Sequence, residues 1–241
     1  MDRGVTVLPA PGGGARVVLD DGRRVNVLSR ARMEALAAAL ARLAAGPGRP
    51  RYVLLEGNGR GSFAAGADLR EIAALDPGAA RDLSRLGERV TRLLSRGPWP
   101  TGALVDGHAL GGGFDLVLAC DAVVATDRSR FGHPGLRRGF LTGWGGTARL
   151  PRRAATSRAS FRSVFLAAEE LGARHAEEAG ILSGRARGSR SARKIVVAQL
   201  QALAGWPPGM LDLWRLARTS VNPAALEPAL AAFVDTSRGG C

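Results

Sequence analysis

The stretch Val105-Asp-Gly-His-Ala-Leu-Gly-Gly-Gly-Phe-Asp-Leu-Val-Leu-Ala119 decides how this chain is read. Its triple glycine, Gly111 to Gly113, opens an apolar helix from Phe114 to Ala119, and a strand over Thr101 to Val105 feeds into it. Glycine lets backbone approach a ligand closely, and a helix N-terminus adds partial positive charge. A second loop has the same character: a buried strand, Arg51 to Glu56, leads through the glycine-rich Gly57 to Gly66 into Ser62-Phe-Ala-Ala-Gly-Ala-Asp-Leu69 and a further helical region. Two such loops, arriving from different strands, can aim two N–H donors at one oxygen. That is an oxyanion hole, which stabilises an enolate or tetrahedral anion formed from a carbonyl. The other reading of either loop is a tight strand-to-helix turn and nothing more.

Outward from these loops, the entry segments Val5 to Leu8 and Ala15 to Asp20 are short and β-branched, and Asp21-Gly22 supplies a hairpin turn before Arg23 to Leu28. This predicts a β-meander. Ser29 caps a helix with Met33, Leu36, Leu40 and Leu43 at helical spacing, stopped by Gly46-Pro47. Leu83, Leu86, Val90 and Leu93 share the face of a second helix, and Ala122 to Thr126 is a strand. Strand, loop and helix recur, which predicts an α/β or α+β core. Beyond Thr156 the pattern turns helical: Phe161 to Ala168, Ile195 to Leu203, Met210 to Ala217 and Ala224 to Val234, with Pro207-Pro208 and Pro223 between them. The Gly-, Arg- and Ser-rich Ser183 to Ser191 reads as a mobile loop. The division expected is a core over 1–182 and a helical C-terminal region over 183–241.

Of 241 residues, 46% are apolar and 23% charged, which disfavours disordered, collagen-like and membrane-spanning classes. The longest nearly apolar run, Leu116 to Ala125, is about ten residues and contains Asp121, too short for a bilayer. No signal-like apolar segment follows Met1, so a cytoplasmic protein is expected, with no membrane partner. Cys120 and Cys241 form neither a disulfide framework nor a zinc pattern. The net charge of +13 raises nucleic acid as a partner, but every basic residue except Lys194 is arginine, spread among Ala and Gly. That is the mark of codon bias as much as of a basic stripe, and no aromatic-interleaved patch accompanies it. Nucleic acid is disfavoured; a polyanionic small molecule fits the charge equally well.

Taken together, these segments resemble the crotonase superfamily, the enoyl-CoA hydratase/isomerase group. The resemblance runs from Asn26 through Ser62 to Ile72, Val105 to Gly113, Cys120-Asp121, Phe131-Gly132, Gly145-Gly146-Thr147 and Arg149-Leu150-Pro151 to Ala173 to Ile181. It implies a spiral of ββα units with a helical C-terminal region that drives assembly of a homotrimer or hexamer. The ligand it implies is an acyl-coenzyme A or carrier-protein thioester, with coenzyme A entering as part of the substrate and no separate cofactor or metal. It also puts the two oxyanion donors on the N–H groups of Ala67 and Gly112, with Gly111 beside them. The backbone of Ala65, Gly66 and Asp68 would lie by the adenine, and Arg23 or Arg24 near the phosphates, where the planar guanidinium fork is well suited. A solvated surface is the other reading of either arginine.

The carboxylates depart from the family pattern. Hydratases of the group use two glutamates, one two residues beyond the last glycine of the triplet and one after Phe-Gly-x-Pro. Here the first position is Asp115, and the second, after Phe131-Gly132-His133-Pro134, is Gly135. Adding water to a double bond needs one group to deprotonate water and another to protonate carbon. Asp115 is therefore either a lone base or a carboxylate complementing its helix dipole. Histidine is a common general acid or base, so His133 is the available replacement, or else an ordinary loop histidine. Trp144 lines the acyl pocket beside Gly135 or is a core aromatic. The reading that results is a lyase or isomerase acting through a thioester enolate, with isomerisation or decarboxylation ahead of hydration. A non-catalytic, thioester-binding or partner-supporting member is the rival.

Overall fold

The computed structural model describes residues 4–139, 143–153 and 162–219. β1 (Val5–Ala10) and β2 (Gly14–Leu19) form an antiparallel hairpin about Pro11–Gly13, and α1 (Arg30–Ala45) follows. As expected, Ser29 caps α1, its side chain accepting from Arg32 N, and Gly46 closes it. Three successive units then each give one strand to a large sheet and one to a small sheet before a helix. The first is β3 (Val53–Gly57), β4 (Ser62–Ala64), α2 (Leu69–Ala73) and α3 (Pro77–Arg96); the second is β5 (Thr101–Val105), β6 (His108–Leu110) and α4 (Gly112–Ala119). The third is β7 (Ala122–Thr126), β8 (Arg130–Gly132), a 3₁₀ turn over Pro134–Arg138 and α5 (Gly146–Arg153).

The large sheet is ordered β1-β2-β3-β5-β7-β10, and the small sheet β4-β6-β8-β9, where β9 is Leu171–Gly172 and β10 is Gly184–Ala186. Apart from the antiparallel β1–β2 and β8–β9 pairs, every ladder is parallel. The result is a spiral of ββα turns. Both faces of the large sheet are covered, which explains the unbroken apolar runs Val53 to Leu55 in β3 and Ala122 to Ala125 in β7. Val53, Leu55, Val105 and Val123 join the main core with Met33, Leu36, Val90 and Phe114, while Leu54, Leu104 and Val124 pack against Ala192, Val196 and Leu200. Those last three belong to α7 (Ser189–Ala204), which follows α6 (Ala173–Glu178) and precedes α8 (Met210–Thr219).

Two expectations are corrected. Arg23 to Leu28 is not a strand: only Leu28 makes a bridge, to Ala67, because Asn26 ties this segment to the Ala65 loop instead. Ser183 to Ser191 is not a loop throughout, since Gly184–Ala186 pairs in parallel with β7 and adds a sixth strand to the sheet. Arg185 pins that strand by ion pairs to Asp127 and Glu177. Within the expected helix Phe161 to Ala168, Arg162–Leu166 forms a single π-type turn, and the helix expected over Ala224 to Val234 lies outside the described residues. Among the described residues no helix is long and apolar enough to cross a membrane.

Candidate active site

The two glycine loops meet. Gly66, at φ +94°, lies so close to the triplet that a Cβ placed on it would stand 3.4 Å from Gly112 N and 3.5 Å from Gly111 Cα. The loop is held by Asn26, which is fully buried: its side-chain NH2 donates to Leu19 O at 2.7 Å and to Phe63 O at 3.2 Å, and its backbone carbonyl accepts from Ala65 N at 2.7 Å. Asn26 began the family resemblance in the sequence but carried no assigned role. Its buried amide, just before a capped helix, was the available signal.

In the triplet each glycine is needed for a separate reason. Gly111 sits at φ +51°, a Cβ on Gly112 would overlap the six-membered ring of Trp144, and one on Gly113 would strike the backbone of Ala64. Among the described residues neither the Ala67 N–H nor the Gly112 N–H has an acceptor. Gly112 is the first residue of α4, where a helix leaves its N–H groups unpaired.

Asp115, in the first turn of α4, is 0% exposed, and His133 is 3% exposed. Eighteen residues apart in sequence, they stand with His133 Nε2 3.2 Å from Asp115 Oδ1, and the imidazole lies 5.5 Å from the Phe114 ring. Burial pushes the Asp115 carboxyl upward. Hydrogen bonding to His133, the charges of His133 and Arg149, and the Trp144 backbone N–H oppose that shift. Gly146, the first residue of α5, faces the carboxylate so closely that a Cβ there would overlap Oδ1. Gly146 and Arg149, both within the segments that resemble the family, flank this carboxylate.

Gly135 falls in the 3₁₀ turn just after His133. Asp68 serves as the N-cap of α2, accepting from Arg70 N at 2.9 Å, and Ala65 and Ala67 are half-buried beside it. Arg23 and Arg24 are exposed in the turn before Asn26. Trp144 is 5% exposed, its indole wedged between Gly87 of α3 and Gly112 of α4. The structure therefore brings Ala67, Gly111, Gly112, Asp115, His133 and Trp144 into one neighbourhood. Among the described residues no group of three His, Cys, Asp or Glu side chains could hold a metal ion.

Gly112→Ala is expected to be overpacked, at a cost of about 1–3 kcal/mol. Each kcal/mol moves the melting temperature of a chain this size by about 2–4 °C. Adding Trp144→Leu should return part of the loss, and strictly additive effects in thermal denaturation would show that the indole is not what Gly112 packs against.

The same architecture is found in the enoyl-CoA hydratase of Bacillus anthracis, with a TM-score of 0.85 and 25% identity, over 96% of this chain and 90% of that one. The fold is shared too with the enoyl-CoA hydratase of Thermoplasma volcanium, with a TM-score of 0.86 at 21% identity, over 98% and 93%. Residues 11–220 match the family model described as enoyl-CoA hydratase/isomerase. The chain belongs to this family, within the crotonase superfamily. It is 41% identical over 100 residues to the crotonyl-CoA hydratase of Syntrophomonas wolfei, covering 42% of this chain and 38% of that protein. It is 41% identical over 130 residues to the 2,3-dehydroadipyl-CoA hydratase of Escherichia coli, covering 54% and 49%. The chain spans about half or less of the length of these curated relatives.

Proposed function

We propose that the chain binds an acyl-CoA or carrier-protein thioester in the cytoplasm and holds its enolate oxygen with the N–H groups of Ala67 and Gly112. The observation that carries this reading is the convergence of the two loops, with both N–H groups lacking an acceptor among the described residues. Asp115 moves the proton. It takes a proton from one carbon of the acyl group, the electron pair passes to the thioester oxygen, and the proton returns at another carbon, so the double bond shifts and no atom is gained or lost. A raised pKa suits this task, because the carboxyl then holds the abstracted proton long enough to give it back. His133 orients the carboxylate through its Nε2 contact. With no side chain at Gly135, isomerisation or decarboxylation of a thioester stands ahead of hydration. The names of the relatives favour hydration, which on this chain would have to run through the Asp115–His133 pair. Assembly as a homotrimer or hexamer belongs to the same proposal.

A second reading is favoured by burial. Asp115 and His133 are closed off from solvent, and the Trp144 indole packs on Gly112. A chain that never opens would bind the thioester without turning it over, or support a partner.

The test is a panel of crotonyl-, 3-enoyl-, malonyl- and butyryl-CoA. A ligand at about a hundred times its Kd stabilises the native state by about 2.7 kcal/mol, a shift of several degrees. Expected results are that shift together with a double-bond-shifted or decarboxylated thioester by mass spectrometry. A shift without product supports the second reading. No shift with any CoA or carrier-protein thioester would sink both.

A further inference from the structure

Behind Trp144, whose indole packs on Gly112 and also lines the space, α3, α5, α8 and the C-terminal end of α4 surround an open cavity of about 670 Å³. Its near end adjoins the site through Trp144 and Arg149, and its far end, at Leu118 and Ala119, lies about 10 Å along the α4 axis from Gly112. Among the described residues, six arginines line the cavity: Arg92, Arg96, Arg149, Arg152, Arg153 and Arg215.

Half of these are structural. Arg215 forks onto Asp121 at 3.0 and 2.7 Å. Arg153 donates to the carbonyls of Ile181 and Cys120. Arg149 donates to Trp144 O at 2.7 Å and Thr91 Oγ1 at 3.1 Å, both neutral acceptors. The other three are different, since the Arg92, Arg96 and Arg152 side chains are exposed and make no hydrogen bond or ion pair among the described residues.

Arg92 and Arg96 are four residues apart on one face of α3, a like-charge spacing that destabilises a helix unless something neutralises it. The Arg149 guanidinium is lowered, mainly by burial and further by the charges of Arg96 and Arg152, while Asp115 and Glu88 oppose. Several guanidinium groups thus converge on a space where, among the described residues, Glu88 is the carboxylate left to meet them, since Asp121 and Asp212 already face Arg215.

We propose that this cavity is a second binding site, for a small polyanion such as a di- or tricarboxylate or a phosphate, held by Arg96 and Arg152 with Arg92 at the mouth and Arg149 beneath. Guanidinium forks pair with carboxylate or phosphate oxygens two at a time. Leu118, Ala119 and Leu216 give the ligand's carbon skeleton an apolar wall.

Isothermal titration at low salt with citrate and with inorganic phosphate tests the site on the full chain. The variant Arg96→Gln/Arg152→Gln removes two charges that have no partner among the described residues. Arg81→Gln/Arg89→Gln removes two from exposed positions of α3 outside the cavity. Charge-assisted hydrogen bonds are worth about 1.5–3 kcal/mol each, so the cavity variant should lose at least about tenfold in affinity for the better anion, and the control little. Binding should persist when butyryl-CoA is saturating. Equal losses in the two variants would mean diffuse attraction to a basic chain and overturn the proposal. So would the absence of saturable binding at millimolar anion, or displacement of citrate by butyryl-CoA, which would make the cavity part of the thioester site.

Discussion

Asp115→Asn is expected to cut turnover of the preferred thioester by about 10²–10⁴-fold, the usual worth of a positioned general base, while leaving thioester binding in place. The same substitution should make the chain more heat-stable near neutral pH. Because burial raises the carboxyl's pKa, the folded state holds its proton to a higher pH than the unfolded state does. This contribution therefore favours folding at low pH and is lost as pH rises through the folded pKa. Asparagine keeps the shape and carries no charge, so its gain in melting temperature should be largest at pH 8 and vanish below the ordinary aspartate range. A residue that trades stability for chemistry behaves in this way. Full activity in the variant would remove Asp115 from the reaction. A melting curve unchanged at every pH would mean that His133, Arg149 and the Trp144 N–H fully offset the burial.

Asp121→Ala is expected to cost about 3–5 kcal/mol, on the order of 10 °C in melting temperature. Asp121 is buried between α4 and β7, and its Oδ2 accepts from Thr101 N at 2.8 Å, Thr101 Oγ1 at 3.1 Å and Arg215 Nη2 at 2.7 Å. Arg215 also donates to Gly97 O at 2.9 Å and Trp99 O at 2.8 Å, so one carboxylate joins β5, β7 and α8. Removing it leaves a largely buried guanidinium with only the more distant, exposed Asp212, at 3.8 Å, as a described carboxylate partner. Asp121→Ala/Arg215→Met removes both charges and should recover most of the loss, since a buried pair replaced by apolar groups is often neutral. Urea denaturation that puts the single variant within about 0.5 kcal/mol of the parent would show that the pair holds nothing.

What could be read from the sequence followed the range of the interactions that decide each element. Thr101 to Val105 and Ala122 to Thr126 are strands with the bounds expected, because residues buried on both faces leave an unbroken apolar run. Ser29 marked α1 by a hydroxyl acting three residues away. Gly184–Ala186 gave no such signal: its three residues are a strand only because β7 lies beside them. Arg23 to Leu28 failed in the opposite sense, since its alternating Val25 and Val27 suit a strand but Asn26 binds the segment elsewhere. In the site, the loops and both proton-carrying candidates were legible one at a time. Their contact was not, because the 3.2 Å between Asp115 and His133 depends on how one turn of the spiral stacks on the next.

The two borders of the large sheet limit how copies of this chain can meet. β10 offers only three residues to a newcomer, and Arg185 in their midst is already paired with Asp127 and Glu177. β1 is longer, but it contains Pro9, which has no N–H to donate. Short, charged or proline-bearing margins are what keep sheets from growing into one another. A continuous ribbon of strands running from copy to copy, the route by which β-rich chains clump into fibres, is thereby discouraged at both ends.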